Sequence, residues 1–308
     1  EEIAWSALPK DIPSGLVTTG YLYYVARTME LVASHLDYPQ DVNEYSEIAK
    51  KAKAAINLRY FNLVDGCYFP GSQGSNIFPL YLGIVPDGQH ERVFRNLLQD
   101  LVNHRQYHLT TGNQMTKYLF EVLDQGERND VALALLENND YPGFGYMLAN
   151  GATTIWERWE RLEGGGMNSH NHPMHGAFSS WFYKTLGGIR LDRSGGILQG
   201  LRLEPQTEIG LDFVAVEYES VKGPIRMAWR KQEGSIHHSM EIPWNLPAVF
   251  VLKLPANPFR IEMDGREIVF EGSDANAPDG ITCRMNESGE KLIFSIPSGQ
   301  HDIVLLTG

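Results

Sequence analysis

The chain is short of cysteine: Cys67 and Cys283 are the only two in 308 residues, and they stand far apart. A disulfide framework is thereby excluded, and a cysteine-rich zinc site has nothing to build on. The chain also has no apolar run long enough to cross a bilayer. Positive charge is in deficit, with 26 Lys and Arg against 38 Asp and Glu for a net charge of −12. Nucleic-acid binding needs clustered Lys and Arg, so that class of partner is excluded, and an anionic membrane surface is disfavoured. Neutral sugars are compatible with the acidity, which by itself selects no substrate. The N-terminus, Glu1-Glu2, carries neither a methionine nor a signal-peptide pattern. It reads as an excised or processed piece, and targeting assigns no compartment. Hydrophobic residues make up 43%, enough for a large buried core.

Two textures divide the chain. In the first, apolar residues recur at helical spacing. One stripe runs through Leu22, Val25, Met29, Val32 and Leu36, and the next through Tyr45, Ile48, Ala49, Ala52, Ala55 and Ile56. Asp41 with Glu44, just after Pro39, reads as an N-terminal capping pair for the second. A third stripe holds Val93, Phe94, Leu97, Leu98 and Leu101. Shorter helical stretches follow near Met115–Leu123 and Val131–Leu136, and a last helix carries Ala177, Phe178, Trp181, Phe182 and Leu186. After Gly187-Gly188 the pattern alternates, in Leu201–Glu204, Phe213–Tyr218 and Ile225–Arg230. Further strand-like runs are Val249–Leu254, Ile268–Phe270, Leu292–Ile296 and Ile303–Leu306. Turn signals at Asp264-Gly265 and Ser288-Gly289 complete an antiparallel β-sandwich. The expected domains are a helical one over 1–188 and a sandwich over 189–308.

Chemistry concentrates in one place. Gly151-Ala152-Thr153-Thr154-Ile155-Trp156-Glu157-Arg158-Trp159-Glu160 is followed closely by Met167-Asn168-Ser169-His170-Asn171-His172. Indole faces suit sugar rings, and carboxylates suit glycosidic-bond chemistry. The β-branched Thr153-Thr154-Ile155 resists a helix, so Glu157 is expected on a short strand. Alternation would then set Ile155, Glu157 and Trp159 on one side, with Trp156 and Arg158 on the other. Glu157 can serve as one of the two carboxyl groups of a glycosidase, or it can be a structural ion-pair partner for Arg158 or another cation. His170, His172 and His175 invite a metal, but Pro173 interrupts them and no HExxH pattern is present, so none is expected. Gly164-Gly165-Gly166 lacks the lysine and the strand-to-helix setting of a phosphate loop. Aromatic loops at Cys67-Tyr68-Phe69-Pro70 and Tyr141–Tyr146 suggest a stacking surface.

These residues resemble glycoside hydrolase family 78, the α-L-rhamnosidases. The likeness rests on Ala152–Trp159, Met167-Asn168-Ser169, Asn171-His172 and the ending Lys184-Thr185-Leu186-Gly187-Gly188-Ile189. Upstream, Pro79–Pro86, His108–Gly112, Tyr141-Pro142 and Gly145-Tyr146-Met147 fall in the family's order. It covers residues 5–190; the sandwich matches only by position and texture. The resemblance implies a partial (α/α)6 barrel, its second half, followed by the sandwich. It implies an inverting hydrolase of terminal α-L-rhamnosyl residues that uses no cofactor. Glu157 would be the general base and His172 a sugar contact. Trp5, Tyr68, Phe69, Trp156 and Trp159 would be candidates for the aromatic lining. The substrate would be a rhamnose-containing oligosaccharide or glycoside, and the partner the missing N-terminal half of the barrel, which would hold the general acid. The chain departs from the family in having Ala4 before Trp5 where an aspartate is common, and in His170 and Pro173–His175. A non-catalytic carbohydrate-binding fragment and another α/α-barrel glycosidase are the alternative readings.

Overall fold

A computed structural model describes residues 12–164, 169–191, 200–255, 259–271, 274–278 and 280–307. Trp5, Met167 and Asn168 lie outside the described residues, as do Glu1, Glu2 and Ala4. The chain divides between Phe178 and Ser179 into two compact units.

The first unit is built of helical hairpins. Its helices are α1 (Ser14–His35), α2 (Pro39–Tyr60), α3 (Gln73–Leu82), α4 (His90–Gln99), α5 (Asn113–Gln125), α6 (Asn129–Glu137) and α7 (Phe144–Ala149). A two-stranded hairpin, β1 (Phe61–Asn62) and β2 (Cys67–Tyr68), joins α2 to α3. Each of α1, α3 and α5 packs on its successor in sequence. In addition α1 packs on α3, α3 on α5, and α5 on a 3₁₀ turn at His175–Phe178. Alternate elements therefore form one layer and α2, α4 and α6 a second, the arrangement of part of an α/α barrel. Burial follows the layers. In α3 every residue from Gln73 to Leu80 is buried, whereas α4 buries only Val93, Phe94 and Leu97. Ser72 caps α3 by accepting the Ser75 N–H (3.3 Å), and Gly83, left-handed at φ 66°, ends it.

Two local expectations are corrected. The α2 helix starts at Pro39 itself, with Tyr38 at the cap and Asp41 already in the first turn, so the Asp41/Glu44 capping pair does not form. Proline at the first helical position needs no amide hydrogen and is preset for helical φ. In α1 the stripe Leu22, Val25, Met29, Val32 and Leu36 lies outward, each residue 36–60% exposed, while Leu16, Gly20, Ala26 and Ala33 face the neighbouring helices. Small residues let α2 and α3 come close, and Gly20 is needed because a Cβ there would meet the Phe78 ring at 2.4 Å.

The second unit opens with an unbroken helical run, α-helical over Ser179–Trp181 and π-helical over Phe182–Leu186. Its strands are β3 (Ile189–Leu191), β4 (Leu201–Leu203), β5 (Phe213–Ser220), β6 (Gly223–Gln232), β7 (Ser235–Ile242), β8 (Ala248–Lys253), β9 (Phe259–Met263), β10 (Arg266–Glu267), β11 (Val269–Glu271), β12 (Asp274–Asn276), β13 (Thr282–Met285), β14 (Lys291–Ile296) and β15 (Gly299–Thr307). They form a six-stranded sheet, β10-β9-β15-β7-β6-β5, and a seven-stranded sheet, β11-β12-β13-β14-β8-β4-β3. The inward residues of both, including Ile225, Met227, Met240, Ile303, Leu203, Phe250, Leu292 and Phe294, make one core. Among the described residues pairing is antiparallel except between β4 and β8, which run parallel. Trp229 is buried, and its indole N–H donates to the Leu186 carbonyl at 2.8 Å.

Candidate active site

Alternating direction in the hairpins puts the N-terminal ends of α3, α5 and the His175–Phe178 turn at one end of the first unit. The loops leading into them are tied together there. Gln73, the first residue of α3, is fully buried; its amide donates to the His108 carbonyl (3.1 Å) and accepts the Thr110 N–H (2.9 Å). The Leu109 N–H reaches the Pro142 carbonyl at 3.3 Å. Thr111 and Thr116 share a hydroxyl bond of 2.7 Å, and the Trp159 indole N–H donates to the Thr111 carbonyl at 2.8 Å.

The segment around Glu157 is not a strand. It is irregular and lies against residues 169–172. The Glu157 N–H donates to the Ser169 carbonyl (2.9 Å), and the Ser169 N–H returns a bond to Glu157 Oε2 (2.9 Å). The His172 N–H donates to the Ile155 carbonyl at 2.8 Å, and Thr154 Oγ1 to the His170 carbonyl. Without a ladder the side chains do not alternate: Trp156 and Trp159 are both buried, Glu157 is half-buried and Arg158 is exposed. Trp156 stacks on His170 (5.1 Å, 28°), and Trp159 on His175 (4.3 Å, 18°) with the Phe144 ring edge-on to it at 5.1 Å.

A cavity of about 150 Å³ opens here, lined by Thr111, Gly112, Asn113, Glu157, Arg158, Trp159, Glu160 and His175. Arg158, the cation next to Glu157, lies 3.4 Å from Glu160. Burial pushes the His175 imidazole down to about 4, helped by nearby His172 and opposed by the Trp156 backbone, so the ring is neutral near pH 7. His172 is half-buried, and its Nδ1 accepts the Met174 N–H at 3.4 Å. Burial raises the Tyr141 hydroxyl to about 12, with Glu160 adding to it. Among the described residues no group of three His, Cys, Asp or Glu is arranged to hold a metal.

Of the other expected site residues, Trp156 and His172 do not line this cavity, and neither do Tyr68 and Phe69. Tyr68 is fully buried, its N–H accepted by Asn76 and its hydroxyl donated to Asn57 at 2.5 Å; its ring offers no face to a sugar. Phe69 is exposed but lines a separate groove with Pro13, Gly15, Arg59 and Tyr60. Trp5 lies outside the described residues. Thr111 and Asn113 are not singled out by the sequence, and His175 stands out there only as a candidate metal ligand and as a departure from the family; the signal for Thr111 is that His108–Gly112 belongs to the family resemblance. Larger but shallow troughs, about 470 and 480 Å³, lie on the outer face of the six-stranded sheet. Ala215, Ala228 and Ser239 pair side by side there and leave a gap between longer side chains. Neither trough gathers the carboxylate and indoles found at Glu157.

Helical hairpins with a carboxylate-and-indole cavity at one end, followed by a β-sandwich, have the architecture of the six-hairpin glycosidase fold with a C-terminal sheet domain. Family models agree. Residues 9–186 match the bacterial alpha-L-rhamnosidase 6 hairpin glycosidase domain, and residues 188–267 the bacterial alpha-L-rhamnosidase C-terminal domain. The chain belongs to the bacterial α-L-rhamnosidase family. It is 26% identical over 304 residues to an alpha-L-rhamnosidase of Streptomyces avermitilis, covering 96% of this chain and 27% of that protein. The solved α-L-rhamnosidase of Dictyoglumus thermophilum superposes with a TM-score of 0.86 at 30% identity, covering 97% of this chain and 32% of the other. The Streptomyces avermitilis enzyme solved with L-rhamnose shares the fold, with a TM-score of 0.80 at 24% identity over 96% of this chain and 27% of its own. The chain thus spans about a third or less of the length of these relatives.

Proposed function

We propose that this chain supplies the general-base side of an inverting α-L-rhamnosidase, with Glu157 as the base and a general acid contributed from outside the chain. The observation that carries the reading is the setting of Glu157: a half-buried carboxylate on the wall of an open cavity, beside an indole and an imidazole. The bond from the Ser169 N–H fixes one carboxylate oxygen. Arg158 lies within ion-pair range of Glu160, which speaks against its having Glu157 as its main partner. In the inverting reaction Glu157 takes a proton from a water molecule as that water attacks the anomeric carbon. The acid protonates the leaving oxygen from the opposite face, roughly 6.5–9.5 Å away, so that the water fits between. His172 donates a hydrogen bond to a sugar hydroxyl, and Trp159 supplies apolar wall. Trp156 contributes by holding the His170 segment rather than by touching the sugar.

L-Rhamnose as the sugar is supported by the names of the relatives and by the ligand in the Streptomyces avermitilis structure. The domain boundary in this reading falls at Gly188, where the second family-model match begins, later in the chain than the Phe178/Ser179 division of the compact units; this glycine is left-handed (φ 73°) with no room for a Cβ. The test is a panel of aryl glycosides offered to the full-length protein, with the first product followed by proton NMR. Preferential cleavage of the α-L-rhamnoside with β-L-rhamnose appearing first supports the reading. First release of the α anomer, or preference for a different sugar, overturns it.

A further inference from the structure

We propose that His175 is a positioning residue, one that sets the place of Glu157 through the Trp159 indole. The inference rests on the reading of Glu157 as the base and adds to it how the scaffold aims that base. Glu157, Arg158 and Trp159 lie in irregular backbone, so no ladder or helix fixes them. What fixes them is an anchor at each end. On one side Glu157 exchanges two bonds with Ser169. Two residues on, Trp159 is held by its N–H to the Thr111 carbonyl and by its stack on His175.

Both parts of the second anchor lead back into the helices. Thr111 adjoins Thr110, which the buried Gln73 amide grips, and its own hydroxyl bonds Thr116 on α5. His175 opens the 3₁₀ turn that packs on α5. The hydrogen bond alone leaves the indole free to tilt about its N–H···O axis, because one bond fixes a point and not a plane. The near-parallel imidazole at 4.3 Å, with Phe144 edge-on to both rings, fixes the plane.

His175 is itself an expensive residue to place there. It is buried, and neither ring nitrogen makes a hydrogen bond of ordinary geometry among the described residues. A purely packing role would be filled at lower cost by an aliphatic side chain. What the imidazole offers and an aliphatic chain does not is a flat face for the indole, together with a polar edge toward the Trp156 backbone that phenylalanine would lack. The ring borders the cavity, but both nitrogens are shut off from solvent, so His175 offers the sugar no polar atom and works through the indole.

The test uses the full-length protein, with His175→Ala, His175→Phe and Glu157→Gln assayed side by side on an aryl α-L-rhamnoside well below every variant's melting temperature. His175→Ala frees the indole and should lower kcat roughly 10- to 100-fold, with KM changed by less than about threefold, as expected for a displaced catalytic group. His175→Phe restores a flat partner and should return kcat to within about threefold of wild type. Should the alanine variant fail to fold, His175→Leu fills the space without a flat face and should show the same loss. Wild-type kcat in the alanine or leucine variant overturns the proposal, as does a loss that phenylalanine does not repair in a folded protein. If Glu157→Gln is inactive while His175→Ala is unaffected, this proposal falls alone. Full turnover by Glu157→Gln removes the reading of the base, and this proposal with it.

Discussion

Acid should weaken the β-sandwich through one side chain. His238 lies on β7 and is buried between the sheets, edge-on to Phe250 on β8 at 5.4 Å and 68°. Neither ring nitrogen has a hydrogen bond of ordinary geometry among the described residues. Burial lowers its pKa from 6.5 to about 4, the Ile303 backbone opposing this and His237 adding to it. The sign follows from which state takes the proton. Below pH 6.5 the unfolded chain protonates while the folded sandwich does not, so stability falls with pH until about 4, where both states are charged. A gap of about 2.5 at ~1.4 kcal/mol per pH unit gives a loss of about 3 kcal/mol, a large part of an ordinary domain's stability. The perturbation is His238→Leu, which keeps an apolar filling and removes the titrating ring. The assay is urea unfolding of the whole chain between about pH 7 and pH 4.5, by circular dichroism and tryptophan fluorescence, comparing the two proteins at each pH. His175 titrates equally in both and cancels. Relative to wild type, the leucine variant should gain about 2 kcal/mol or more as pH falls over that range. Profiles that stay parallel within about 0.5 kcal/mol would refute the reasoning.

Two further outcomes follow from the scaffold. Gly188→Ala puts a Cβ 2.2 Å from the Pro205 nitrogen at a backbone with φ 73°, so it should cost more than about 3 kcal/mol or prevent folding; a melting curve within a degree of wild type contradicts this. The outward α1 stripe should make the 308-residue chain self-associate, and Val25→Glu with Val32→Glu should suppress it; a wild-type monomer in light scattering contradicts this.

The hairpin layers were legible because helical spacing reports burial wherever one face is buried. Val93, Phe94, Leu97 and Leu101 are buried as their spacing implies, and so are Ala49, Ala52 and Ile56. The same rule misled at α1, where the apolar stripe faces out and small residues face in. Periodicity identifies an apolar face but not what lies against it. Strand positions in the sandwich were legible from alternation and from turn glycines; Gly265 and Gly289 both have positive φ. The parallel β4–β8 pair was not, because alternation carries no direction. At the site, the concentration of Trp156, Glu157, Trp159 and His172 was visible, but their sides were not. The strand rule needs a ladder, and this segment is held by loop hydrogen bonds and ring stacks instead. Gln73, Thr111 and His175 act through contacts across 35 or more residues of sequence or between unlike elements, and local pattern does not encode these. Tyr68 shows the converse, an aromatic residue read as part of a loop but placed on β2, with its hydroxyl and amide both spent inside the core.

The central claim is that the Glu157 carboxylate activates water at a rhamnosyl carbon, and Glu157→Gln in the full-length protein tests it most directly. The amide keeps the size and much of the hydrogen bonding but does not accept the proton. Turnover of an aryl α-L-rhamnoside should fall by roughly 10²–10⁴, with binding of L-rhamnose by calorimetry changed little. Turnover within a few-fold of wild type would contradict the account.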